Sequence, residues 1–396
     1  MTIKEVTFHV KNLQGCFVTA GRLCFLDLLL KDTIIQKLDC SRKGLLYIDS
    51  SIKLENLLTK SLGQKKKFIK WDEHVRTTTE EIIETGNIDL CSHLLSQLES
   101  KAYFTIDDLI HKTGNDVLLS PVTEVLNDLK DIFKNKPVKE GNIEKIDIRG
   151  SSIVERVFFG PSKIKEDKIF DTSYDGVGYT LPENGNTLEE IVPSCWSVAQ
   201  GELRACELCA LSVLEYDNLP LQFYWDFSKQ SWDEARHALI YLNLSLSFFD
   251  TIISVLNESN PLYKIIKSFK ENKKGLPLPK DRNTWDAILN ADLEERIILL
   301  NILTEGPAVA RLTQKIKKDI CTHYPEIKRV LEYDKADEMF HARIGNQWLK
   351  YLIPNLAKRK QKIEDAKLMK GFLLLTSIVE YSNGNIDELA RELVKD

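Results

Sequence analysis

The feature that most narrows what this chain can fold into is a pattern, Glu-x-x-His, that occurs twice. The copies are Glu234-Ala235-Arg236-His237 and Glu338-Met339-Phe340-His341, each inside a segment of helical periodicity. On a helix, positions i and i+3 share one face, so a carboxylate and an imidazole can close on the same metal ion. An aspartate precedes each copy. Asp233 and Asp337 point about 100° away around the helix, which suits them to supporting or solvent-facing roles. One such motif means little, because glutamate is common. Two copies, with one glutamate from each of two further helices, are what a helical bundle holding a pair of metal ions requires.

Those glutamates are present. Glu202 and Glu305 each lie on the helix before a motif, at nearly the same distance upstream. Glu305 interrupts an otherwise apolar stretch, Ile297 to Ala310, where a lone carboxylate is costly to bury unless paired or coordinated. Glu207 shares a helix with Glu202, about 140° away, so the two cannot face one axis equally. Glu202 is the favoured ligand, with Glu207 as an additional ligand or a supporting carboxylate. Asp334, one turn before Glu338, is a further inward candidate. Four carboxylates and two imidazoles form an oxygen-rich set suited to iron, with manganese as the alternative, rather than to structural zinc. Two dications also neutralise four carboxylates, so the pair can sit in an apolar interior. Tyr241 and Trp232, close to the first motif, read as packing residues or oxidisable neighbours.

The fold class expected is mainly α. Helical patterns cover Ser197–Tyr216, Leu221–Asn257, Asn283–Ile320, Tyr324–Leu352 and Arg359–Tyr381, with Leu276-Pro277-Leu278-Pro279 as a rigid break and Pro325 tolerated in a first helical turn. Upstream, Glu5 to Val10 alternates like a short strand, whereas Leu23–Leu38, Thr78–Leu98 (interrupted at Gly86-Asn87), Thr105–Lys112 and Pro121–Lys134 read as helices. Lys136 to Asn186 carries turn signals and few helix-period apolar positions, as in an extended connector with one or two short strands. The domain reading is 1–135 α-rich and of unrecognised fold, 136–190 connector, and 191–396 a metal-binding helical bundle.

Of the 396 residues, 43% are hydrophobic and 29% charged, ordinary values for a globular protein. A formal charge of −5 argues against a nucleic-acid partner. The Lys65, Lys66, Lys67, Lys70 run reads as a solvated face. No secretory signal is evident, and uninterrupted apolar runs such as Gly371 to Val379 are too short to span a bilayer. Eight cysteines without framework spacing fit a reducing, cytoplasmic setting. Cys206 and Cys209, spaced C-x-x-C within a helix, read as small buried thiols.

The segments Gly201–Leu208, Trp232–His237 and Asp337–Trp348 resemble the ferritin-like superfamily, and most closely its family known as domain of unknown function 455. That pattern has paired glutamates on the first helix, D-E-A-R-H on the second and D-E-x-x-H-x-x-I-G-x-x-W on the fourth. The resemblance covers about residues 195–352. It implies a ferritin-like four-helix bundle, followed by one more helix, with a di-iron site made by Glu202, Glu234, His237, Glu305, Glu338 and His341. It also implies an O2-dependent oxidoreductase, a hydroxylase or oxygenase, acting on a small organic substrate with an external electron donor. A homodimer is compatible with that reading, and a membrane partner is not expected. The other functions to weigh are a ferroxidase or metal-handling role, and a non-catalytic interaction protein.

Overall fold

The structure, a computed structural model, describes residues 1–31, 34–64, 88–114, 119–133, 170–171, 185–216, 219–271, 276–277 and 288–381. The described chain is mainly α-helical. It divides into two compact units. The first comprises Met1–Lys31, Ile35–Arg156 and Cys209–Trp232; the second comprises Asp32–Ile34, Val157–Leu208 and Asp233–Asp396.

The strand expected at Glu5 to Val10 is instead the start of a long helix, α1 (Ile3–Leu30). Thr2 and Glu5 cap it reciprocally: Glu5 Oε2 accepts the Thr2 N–H at 2.7 Å, and Thr2 Oγ1 accepts the Glu5 N–H at 3.3 Å. Beyond the alternation, Val6, Val10, Leu13 and Phe17 recur at three- and four-residue spacing and are all buried, so the helical period wins. The helix expected over Leu23–Leu38 is two helix ends. Helix α1 stops at Leu30, where the Leu28 carbonyl accepts from Lys31 N–H and from the buried Lys37 ammonium at 2.9 Å. Helix α2 (Ile34–Lys60) then begins.

Helix α3 (Ile88–Thr113) joins what the sequence suggested were two helices. Thr105 does not start a helix; its hydroxyl donates back to the Lys101 carbonyl at 2.7 Å within one. The expected break at Gly86-Asn87, the lysine run and most of the connector lie outside the described residues. Helix α4 (Ser120–Lys130) ends in a tight turn, Asp131–Phe133, and completes a core of residues such as Phe17, Leu54, Ile106 and Leu126. Arg22, 1% exposed, donates to the carbonyls of Val213, Leu214 and Tyr216 and lies over the Tyr224 ring. It thereby satisfies the carbonyls left open where α5 (Leu188–Glu215) ends.

Helix α6 (Leu221–Ser247) breaks before α7 (Phe249–Val255), and α8 (Pro261–Lys270) follows. Strand β1 (Phe170–Asp171) pairs in parallel with β2 (Leu276–Pro277), Phe170 opposite Leu276. The single helix expected over Asn283–Ile320 is composite: α9 (Leu293–Ile297), a π-helical segment (Ile298–Glu305), α10 (Gly306–Lys315) and, after a break, α11 (Asp319–His323). Pro307 supplies the reason. Proline lacks an N–H and crowds the carbonyl four residues before it, here Leu303. Widening the helix relieves that clash: the Gly306 N–H bonds Asn301 O, and the Thr304 hydroxyl donates to Leu299 O at 2.8 Å. Helix α12 (Pro325–Leu352) carries Pro325 in its first turn as expected, and α13 (Leu356–Tyr381) closes the described chain.

Two helical stretches, Ile3–Leu30 and Leu221–Val255, are long and apolar enough to cross a bilayer, with 94% and 44% of their apolar windows buried in protein. The core helix of a soluble protein meets the same criteria of length and composition, and the first stretch is almost wholly buried. All eight cysteines are buried and none forms a disulfide.

The first unit rests on a close helix approach. A Cβ at Gly44 would lie 2.6 Å from Phe25 Cε2, and Phe25 is fully buried. Gly44→Ala is expected to cost roughly 1–3 kcal/mol by overpacking. Urea unfolding of the variant checks this, and an unchanged midpoint would contradict the contact.

Candidate metal centre

Four helical elements of the second unit supply the site. Helix α5 carries Glu202; α6 carries Asp233, Glu234 and His237; Glu305 is the last residue of the π segment; α12 carries Asp334, Asp337, Glu338 and His341. Glu234, His237, Glu338 and His341 are no more than 2% exposed, and Glu305 is 5% exposed. Their donor atoms gather into two overlapping groups. Glu202, Glu234, His237 and Glu338 form one, and Glu234, Glu305 and His341 the other, each offering ligand atoms within 4.8 Å of one another. All six candidates therefore come together, with Glu234 common to both groups.

The orientation of the imidazoles is specific. His237 turns Nδ1 inward, 3.2 Å from Glu234 Oε2 and 3.8 Å from Glu338 Oε1. His341 does the same, 3.2 Å from Glu234 Oε1 and 3.2 Å from Glu338 Oε1. Glu234 thus presents one oxygen to each histidine. The outward nitrogens cross over: His237 Nε2 lies 3.1 Å from Asp337, and His341 Nε2 lies 3.3 Å from Asp233. Each motif's aspartate holds the other motif's histidine. An ionised carboxylate only accepts, so each Nε2 donates to its aspartate; without metal the raised proton affinity of both histidines also keeps a proton on Nδ1 toward Glu234, and a cation would displace that proton. Arg236 ties the arrangement together, donating to Asp233 and, at 3.2 Å, to Asp337. Its guanidinium also lies over the ring of Tyr333, which meets His237 edge-on.

The two further candidates, Asp334 and Glu207, separate. Asp334 lies 3.6 Å from His237 Nδ1 and accepts the Tyr241 hydroxyl, which makes Tyr241 a bonding neighbour of the site as well as a packing residue. Glu207 is buried but belongs to neither ligand group. Its five-residue offset from Glu202 turns it to another face. Reading motifs alone missed Arg236, Tyr333 and Asn301. Asn301 sits inside the π segment and donates to the His341 carbonyl at 3.2 Å. The one signal for it was a polar residue in an apolar run, a turn before Glu305.

Crowding so many acids in one place distorts their proton affinities. Burial, then repulsion from Glu234, pushes Glu305 up to about 7. Burial with neighbouring carboxylates also raises Glu202 and Glu338 well above the ordinary range, and burial raises Asp334. Burial works against charge on the histidines, yet hydrogen bonds to Asp337 and Glu234 hold His237 well above its usual value. The Glu234 charge and the Asp233 bond raise His341 despite burial. Glu234 is the exception: burial would raise it, but His341 and His237 hold it low.

This donor set fits a pair of dications. Among the described residues, Glu338 Oε2 is buried without a hydrogen-bond partner. Carboxyls that must otherwise hold protons against mutual repulsion would release them to a cation. No protein-family model matches the sequence, and neither a curated protein nor a solved structure matches it.

A group whose proton is held more tightly in the folded chain adds stability at low pH and loses it as pH rises. Glu202, Glu305, Asp334, Glu338, His237 and His341 all shift that way, and Glu234 opposes them. Without metal, Tm is expected to fall as pH rises from 4.5 through about 7, and Glu305→Gln to flatten that fall. Melting curves across this range check it; a rising Tm would contradict the charge crowding.

Proposed function

We propose that this chain is an O2-dependent di-iron oxidoreductase of ferritin-like type, acting on a small organic substrate. The observation that carries the reading is the pair of inward-facing Nδ1 atoms sharing Glu234, each backed by the aspartate of the opposite motif. The resemblance of the motif segments to the ferritin-like superfamily supports it. Iron is favoured over zinc because the donors are carboxylates and imidazoles rather than thiolates.

Glu202 and His237 would hold one ion, Glu305 and His341 the other, with Glu234 and Glu338 between them. When bound, a ferrous pair supplies the electrons that reduce O2. The chain's own residues do the rest. Burial excludes water from the donor atoms, which strengthens every charge interaction among them. Asp233 and Asp337 fix the tautomer of each imidazole, keeping a proton on Nε2. Tyr241 donates its hydroxyl hydrogen bond to Asp334, a carboxyl outside the ligand set that lies beside His237 Nδ1. Arg236 offsets the charge of both outer aspartates, the buried Asp233 and the half-buried Asp337.

Protein produced in iron-supplemented medium should carry about two irons per chain, and an O2 pulse on the ferrous form should give a transient visible band. Glu305→Ala should lose that band. Iron well below one per chain, with no reaction with O2, would overturn the reading and favour a partner-binding helical protein. Stable iron without a transient would instead favour metal handling.

A further inference from the structure

Glu305 is the one proposed ligand that does not sit on regular α-helix, and the segment that carries it has a carbonyl, Leu303 O, that accepts from the side chain of another helix. In an α-helical register the Leu303 carbonyl would bond the N–H of residue 307, which is proline and has none. Helix α13 supplies a donor there from outside the four ligand-bearing elements. Lys370 Nζ donates to Leu303 O at 2.8 Å and to Thr304 Oγ1 at 2.8 Å. An ammonium has only donors, so the Thr304 hydroxyl accepts there and directs its own proton to Leu299 O at 2.8 Å, across the widened turn.

A second lysine of the same helix grips the other end. Lys362 Nζ lies 3.0 Å from Asp292 and 2.6 Å from Glu294, and Asp292 caps α9, which leads into the π segment. Lys362 and Lys370 are eight residues apart, about 12 Å along a helix. The inner face of the segment is set just as tightly. Asn301 donates to the His341 carbonyl, and a Cβ at Gly345 would come within 2.3 Å of the Asn301 Cβ. The π segment is held between α12 on one side and α13 on the other.

We propose that Lys370 is a positioning residue for the metal site on the Glu305 side: by holding the Leu303 carbonyl and the Thr304 hydroxyl it keeps the π register that aims Glu305 at its ion. This rests on the metal-centre reading above, and it assigns α13 a part in that centre although it carries none of the ligands. Glu202 and His237 lie on elements that Lys370 does not hold, so the effect falls on one ion of the two.

The test is anaerobic Co(II) titration of the full chain, followed by the visible ligand-field band, together with amide hydrogen exchange of the metal-free protein. Wild type should take two Co(II). In Lys370→Ala one ion should bind as in wild type and the other about 10-fold or more weakly, the range seen when a supporting hydrogen bond to a ligand is lost. Exchange should rise within Ile298–Glu305, and Lys370→Arg should restore both readouts. Two ions bound as in wild type with unchanged exchange, or both ions weakened alike, would overturn the proposal. A wild type that takes no Co(II) would overturn the metal centre itself, and this inference with it.

Discussion

Everything in the second unit answers to one electrostatic problem: Glu234, Glu305, Glu338 and Asp334 are all buried within reach of two imidazoles, with Glu202 beside them. Isolated buried carboxylates are expensive, and mutual repulsion makes a cluster worse. Without a cation the cluster compensates with protons, which is why Glu305 is pushed up to about 7 while Glu234, flanked by both histidines, stays low. Two dications would replace those protons and supply the missing positive charge. The outer layer repeats the same logic. Asp233 and Asp337 would add two more anions, and Arg236 lies where it meets both.

Helical register turns that problem into geometry. The i, i+3 spacing of each motif puts a glutamate and a histidine on one face, and the preceding aspartate reaches the partner helix. The crossed pairs, His237 with Asp337 and His341 with Asp233, make each motif depend on the other for its tautomer. Glu305 follows a different rule. A π segment ends at Glu305, two residues before Pro307, and Asn301, Gly345, Thr304 and Lys370 each bear on its shape.

The clustering of these carboxylates and histidines was legible in the sequence because its signal is local: a repeated short motif, and a glutamate stranded among Ile and Leu. The helix classes of the C-terminal half were legible for the same reason. What stayed hidden depends on contacts remote in sequence. Arg236 looks like any exposed helical arginine until Asp337 is placed beside it. Lys370 looks like a surface lysine until it is seen to donate to the Leu303 carbonyl and the Thr304 hydroxyl. The five-residue offset already favoured Glu202 over Glu207, and Glu207 joins neither ligand group. In the first unit, the alternation at Glu5 to Val10 suggested a strand, and the reciprocal cap at Thr2 with the longer apolar period overrode it.

The most direct test of the central claim is a crystal structure of iron-loaded protein with anomalous differences collected at the iron edge. The account predicts two peaks flanking Glu234 and Glu338, one also contacting Glu202 and His237 Nδ1, the other Glu305 and His341 Nδ1. A single peak, or density that leaves both Nδ1 atoms uncoordinated, would contradict it.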